Sequence, residues 1–372
     1  MQRRVRGLLF GIGIGLAGVL FVASPFGLSF EERVGLAWLF HLRGPVEPPR
    51  EAVIVAIDEQ SAIDLGLSST PRDWPRSLHG LLIDALVERG ADIIVFDLAF
   101  TREQPAGEDE AFAAAIARAG RVLLFEATER RITPLGNGAT GELVVETFSQ
   151  PRPVLGAAAL GIAPLPLPNV PARISRFWAF LGQSADRATL PALALMAYGL
   201  HYDSGWPRLS PGWEDPLTPP DQSLPNTSRV TRIDLMARTL RRQVKTGIDL
   251  NGLPPATDEK AQQLRRALIA LYTAPDAHYL NFYGPPGTIR HVGYARLLAC
   301  RGRTAPPCDI DLKGRVVFVG LSELTKPPTS LAMPSPRCLR VRMAFISVGS
   351  RSLQQRSPIC STFRRCSRRN HS

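Results

Sequence analysis

Two apolar runs that each end on an aspartate, with a helical pattern between them, set the tightest constraint on how this chain can fold. Residues 53–57 (VIVAI) lead into Asp58, and residues 93–96 (IIVF) lead into Asp97. Between them Leu78, Leu81, Leu82, Ala85 and Leu86 fall on one helical face of residues 78–89, with Ser77 placed to cap the start and Gly90 the end. A second helical pattern at 108–119 stops at Gly120 and feeds a third apolar run at 122–125. Strand, helix, strand, helix, strand with short connections predicts parallel crossovers, and so an α/β fold with a mainly parallel sheet and helices on both faces. A further apolar run at 315–319, after a helical pattern at 292–300, is expected to rejoin that sheet.

The stretch between these two halves is rich in proline at 151–171 and again at 207–225, with helical patterns near 190–200 and 260–272. It reads as a peripheral insertion at about 150–280 within a domain spanning 51–323. Residues 31–50 read as a juxtamembrane segment that ends at Gly44-Pro45 and Pro48-Pro49.

Ahead of that segment, residues 7–30 contain no charged side chain. As one helix these 24 residues would reach about 36 Å, enough to cross a hydrocarbon core of roughly 30 Å with some tilt. Arg3, Arg4 and Arg6 precede the stretch and Glu31 and Glu32 follow it, so the expected topology keeps the N-terminus in the cytoplasm and the domain outside. The expected element is a single N-terminal transmembrane helix in the inner membrane, and residues 1–30 are its stub and anchor. Gly13, Gly15 and Gly18 spell a dinucleotide-loop pattern, but they follow no strand and open no soluble helix, so that reading is discarded. Gly7, Gly11 and Gly15 share one helical face and fit the close approach of two backbones in a homodimer.

Charge narrows the partners. The formal net charge is +11, yet the 49 residues from Leu324 hold ten Lys or Arg and no Asp or Glu, which leaves +1 for everything before them. A balanced body argues against nucleic acid as a partner. The tail at 324–372 is expected to be disordered, or the product of a shifted reading frame.

Taken in order, several stretches resemble the CHASE2 family of extracytoplasmic sensory domains from bacterial membrane receptors. They are LRGP at 42–45, VIVAIDEQS at 53–61, WPR at 74–76, LLIDALVERGADIIVFDLAF at 81–100, LPALAL at 190–195, NFYGPPGTI at 281–289, YARLL at 294–298 and LKGRVVFVG at 312–320. The resemblance implies an anchored outer α/β domain that senses a small molecule or a protein. It further implies membrane spans and a cyclase or kinase output beyond it, and neither is recognisable in the sequence after Glu323.

For chemistry, the candidate ligand-binding residues are Asp58, Ser61, Trp74, Arg76 and Asp97. Strand-end aspartates in an open α/β sheet face its ligand crevice, but the same residues also cap helices and turns, and both readings stay open here. A metal-dependent envelope hydrolase built on Asp58, Glu59 and Asp97 is the alternative, and a structural envelope module is a third. The histidines (His41, His79, His201, His278, His291, His371) show no metal-ligand spacing, so no metal, cofactor or catalytic residue is assigned. Cys300 and Cys308 bracket a short loop in a domain placed in an oxidising compartment, and a disulfide between them is expected.

Overall fold

A computed structural model describes residues 2–24, 35–134, 142–166, 176–182, 186–203, 229–247, 256, 258–302 and 308–322. The proline-rich stretch at 207–225 and the basic tail at 324–372 lie outside the described residues. The helices in chain order are α1 (Gln2–Ala23), α2 (Leu36–Arg43), α3 (Glu59–Asp64), α4 (Arg76–Glu88), α5 (Glu108–Ala119) and α6 (Pro153–Ala158). They continue with α7 (Leu190–Tyr202), α8 (Arg229–Thr246), α9 (Glu259–Thr273) and α10 (Tyr294–Ala299).

The main sheet is formed by β1 (Ala52–Ile57), β2 (Ile93–Phe96), β3 (Val122–Pro134), β4 (Glu142–Ser149) and β5 (Gly161–Pro164), together with two strands from late in the chain. Two minor pairs lie off it, β6 (Arg176–Trp178) with β9 (Ala277–Tyr279), and β7 (Phe180–Leu181) with β8 (Arg187–Ala188). The late strands are β10 (His291–Gly293) and β11 (Val316–Leu321), and the sheet runs β10-β1-β11-β2-β3. Every pairing along this path is parallel, as is that of β3 with β5. β4 alone is antiparallel, forming a hairpin arm with the outer half of β3. The third strand was expected to end at Phe125, but antiparallel pairing of residues 127–134 with β4 keeps β3 extended to Pro134.

β11 lies between β1 and β2, pairing Val53 with Val317 on one side and Val317 with Ile94 on the other. The strands that carry Asp58 and Asp97 are therefore not neighbours.

Alternate residues of each strand face opposite layers. Val53, Val55, Ile94, Phe96, Leu124, Val317 and Val319 pack with Leu82 and Leu86 of α4, Phe112 and Ile116 of α5, and Leu297 of α10. Ile54, Ile93, Val95, Leu123 and Phe318 pack with Leu193 and Met196 of α7, Ile233 and Leu240 of α8, and Leu268 and Tyr272 of α9. The second set corrects the reading of 150–280 as peripheral, because that segment supplies a whole covering layer and strand β5. α7 is buried all round from Leu190 to Leu200, as befits a helix of Ala, Leu, Met and Tyr with no charged residue.

Local boundaries follow the residues present. α4 ends as expected at Gly90, whose φ of +82° suits a glycine and whose N–H returns to the Val87 carbonyl. Its start differs: Pro75 is the N-cap, and the N–H and hydroxyl of Ser77 donate to the Glu108 carboxylate instead of Ser77 capping the helix. The first turn of α4 is thereby bonded to the first turn of α5. Gly80 allows these two helices to close up, since a Cβ there would stand 3.3 Å from that of Ala115.

The N-terminal helix is shorter than expected. α1 includes Arg3, Arg4 and Arg6 and stops at Ala23, ahead of Pro25, which disfavours helix at the residue before it. Its 17 uncharged residues, 7–23, cover about 26 Å, short of the roughly 30 Å hydrocarbon core. Among the described residues no helix is long and apolar enough to cross a membrane. Gly7, Gly11 and Gly15 are exposed, with no atom within 4 Å of where a Cβ would stand. α2 is tied to the body by an edge-to-face contact of Phe40 with Phe282 and by the Arg43 guanidinium, which donates to Asn281 Oδ1 and the Phe282 carbonyl. Cys300 and Cys308 are joined by a disulfide with Cα atoms 5.1 Å apart, and Arg89 donates to the carbonyls of both cysteines.

His79 is fully buried among Phe96, Phe100, Phe112 and Tyr294, with Nδ1 2.8 Å from the Tyr294 hydroxyl. Burial, aided by the Arg76 charge, lowers its pKa from 6.5 to about 3. The folded state keeps the ring neutral where the unfolded chain takes up a proton. The stability this provides is fully present above pH 6.5 and is lost as the pH falls toward 3, by about 1.4 kcal/mol per pH unit. Chemical denaturation between pH 6.5 and 5, above most carboxylate titration, should show this slope in the native protein and a flatter one in His79→Phe. Equal slopes would remove His79 as its source.

Candidate functional site

A crevice of about 500 Å3 opens at the carboxyl ends of β2 and β11, beside the middle of β3, where open α/β sheets bind ligands and within the volume range of small-molecule sites. One wall is the loop that leaves β2, from Asp97 to Arg102. Phe125, Ala127 and Thr128 of β3 form the opposite wall, and Leu321 closes the side at the end of β11. Thr70, Pro71 and Arg72 come from the β1–β2 connection, and Arg76 from the first turn of α4.

Arg76 is the buried charge of this site, only 2% exposed. Its guanidinium carbon lies 4.5 Å from the centroid of the Phe100 ring, and its Nε stands 3.5 Å from Asp109 Oδ1. Asp109 is shared, for Arg152 Nε lies 3.5 Å from its other oxygen. The position of Asp109 in the first turn of α5 also favours its negative charge. Burial lowers the pKa of Arg76 against the opposing pull of Asp109, though an arginine stays cationic at neutral pH. None of Arg76 Nε, Asp109 Oδ1 and Arg152 Nε has a hydrogen-bond partner. These contacts are ion pairs without hydrogen-bond geometry.

The structure divides the five sequence candidates. Arg76 and Asp97 line the crevice, and Asp58, Ser61 and Trp74 do not. Asp58 is the N-cap of α3, where its Oδ1 accepts from the Ser61 N–H at 2.8 Å. Ser61 is buried, and its hydroxyl accepts from the Ala295 N–H at the start of α10. Trp74 is buried against Tyr294 with its Nε1 donating to the Ser68 carbonyl. With β11 between their strands and about 4.8 Å per strand step, the backbones at Asp58 and Asp97 are roughly 10 Å apart. Glu59 is exposed on α3, and among the described residues no group of three His, Cys, Asp or Glu could hold a metal. The hydrolase alternative thus lacks the convergence it requires.

Sequence reasoning missed Arg72, Arg102 and Thr128. Arg102 follows the LAF that closes the second strand motif and could have been found as a strand-end loop residue, whereas Thr128 was hidden by ending β3 at Phe125.

The α/β domain thus carries a crevice at its strand ends and a helix tied in ahead of its first strand. The CHASE2 domain model matches residues 13–343, and the chain belongs to that family. CHASE2 domains are extracytoplasmic sensory domains. The match begins inside α1 and ends at residue 343, within the basic tail at 324–372. No curated protein and no solved structure matches the chain.

The two aspartates can be told apart by experiment. Asp58→Ala removes a helix cap and should lower unfolding stability by about 0.5 to 2 kcal/mol without affecting ligand-induced stabilisation, while Asp97→Asn should do the reverse. Equal loss of stability in the two variants would place both residues in the same structural role.

Proposed function

We propose that this chain is the membrane-anchored, extracytoplasmic sensory part of a bacterial signal-transduction receptor, and that it binds a small molecule in the crevice between the β2 loop and β3. The observation that carries this reading is the buried Arg76 guanidinium at the wall of a concave site at the strand ends. Sensing, unlike catalysis, needs recognition and a path to the anchor. α2 supplies the path: Phe40 and Arg43 grip residues 281–282, and the Val46 N–H bonds to the Tyr283 carbonyl. In this reading the anchor is the whole uncharged stretch at 7–30, of which α1 covers 7–23, with Arg3, Arg4 and Arg6 on its cytoplasmic side.

Topology tests the reading directly. A reporter enzyme that works only after export, fused behind Gly320, should be active, and a fluorescent protein that matures only in the cytoplasm should be dark at the same junction. The opposite pattern would overturn both the orientation and the sensory assignment.

A further inference from the structure

We propose that the crevice takes a small anion, a carboxylate or phosphate group, held by Arg76 with Arg72 and Arg102 at the mouth. This deepens the sensor reading by naming the ligand's chemical class, and it rests on that reading for its biological sense only. Three guanidinium groups line the crevice against one carboxylate, that of Asp97. Arg72 and Arg102 are exposed and form no ion pair with any described residue. Arg76 is committed to the site differently, being buried and fixed over Phe100.

A second, independent observation concerns hydrogen bonds. More than nine in ten buried polar groups in folded proteins find a partner. Here Arg76 Nε and Thr128 Oγ1 both lack one, and both residues line the crevice. With Arg76 Nε turned to Asp109 Oδ1 at 3.5 Å, the Thr128 hydroxyl is the lining group whose hydrogen bond a ligand would complete. Arginine's planar fork matches the oxygens of carboxylate and phosphate. Ala99, Phe100 and Phe125 give the same crevice an apolar wall that can accept the carbon body of an organic anion.

The test uses the full chain in detergent, titrated calorimetrically with inorganic phosphate and separately with succinate, against sodium chloride at matched ionic strength. Saturable binding of either probe is expected, and the stronger of the two identifies the head group. Arg72→Gln and Arg102→Gln alter exposed side chains, so their melting temperatures should equal that of the native protein while the double variant binds about tenfold or more weakly, as the loss of charge-assisted bonds implies. Arg76→Lys keeps the charge but loses the fork, and should abolish binding. If that variant fails to fold, the Arg72/Arg102 pair still decides the matter. A response no greater than that to chloride, or undiminished affinity in the double variant, overturns the proposal. An exported fusion with no anion binding sinks this inference and leaves the sensor reading standing, whereas anion binding with a cytoplasmic fusion does the opposite.

Discussion

The fold depends on the backbone hydrogen bonds of one late strand. β11 pairs with β1 along its full length and with β2 on its other edge. Without it the inner edges of both early strands would carry unpaired N–H and C=O groups in the middle of a buried sheet, at a cost of about 1–3 kcal/mol for each group left unsatisfied. The first crossover unit therefore cannot close by itself: residues 52–57 and 93–96 wait for residues 316–321, more than two hundred positions later. Long-range parallel pairing of this kind folds slowly. The same strand also separates Asp58 from Asp97, so that the two carboxylates do not share one site.

A polar device is built into one apolar layer. Arg76, Asp109 and Arg152 form a chain of ion pairs beside His79 and its aromatic shell. Phe100 belongs to both, touching the histidine on one side and the guanidinium on the other. Burying an arginine is tolerable only with a carboxylate close by, and Asp109 is held in place by its own helix terminus. The result is a buried, paired cation at the wall of the cleft, in contrast to the exposed Arg72 and Arg102.

Much of this was legible in the sequence, and what was not has physical reasons. The apolar runs at 53–57, 93–96, 122–125 and 315–319 and the helical faces between them mark their own boundaries, because β-branched runs and i, i+3, i+4 spacing are local properties. Strand order is not local: nothing in residues 315–319 says that they insert between β1 and β2 and do not join an edge. The covering layer at 190–273 was misjudged because proline stretches suggested a surface excursion, while the uniform apolarity of α7 has no period to read. For the site, Arg76 and Asp97 were within reach as strand-end and helix-start residues. Asp58 and Asp97 both follow an apolar strand in sequence, and what separates them is that a helix begins straight after Asp58 so that the backbone N–H of Ser61 reaches its carboxylate. Arg72 lies in a short 3-10 turn at Pro71–Asp73 and Arg102 in the loop after β2, and their approach to one another is a tertiary fact.

Leu321 joins recognition to the rest of the chain. It is a wall of the crevice and the last residue of β11, and the Ser322 N–H that follows bonds to the carbonyl of Ile57 at the end of β1. β1 in turn pairs with β10, which follows the segment at 281–283 that grips α2. In the proposed reading, a ligand pressing on Leu321 would act on β11 directly and, through β1 and β10, on the segment at 281–283 that holds α2. Packed sheets transmit such a displacement because their interiors have little free volume to absorb it. The proposed route from the crevice to α2 therefore runs through three neighbouring strands of one sheet, β11, β1 and β10.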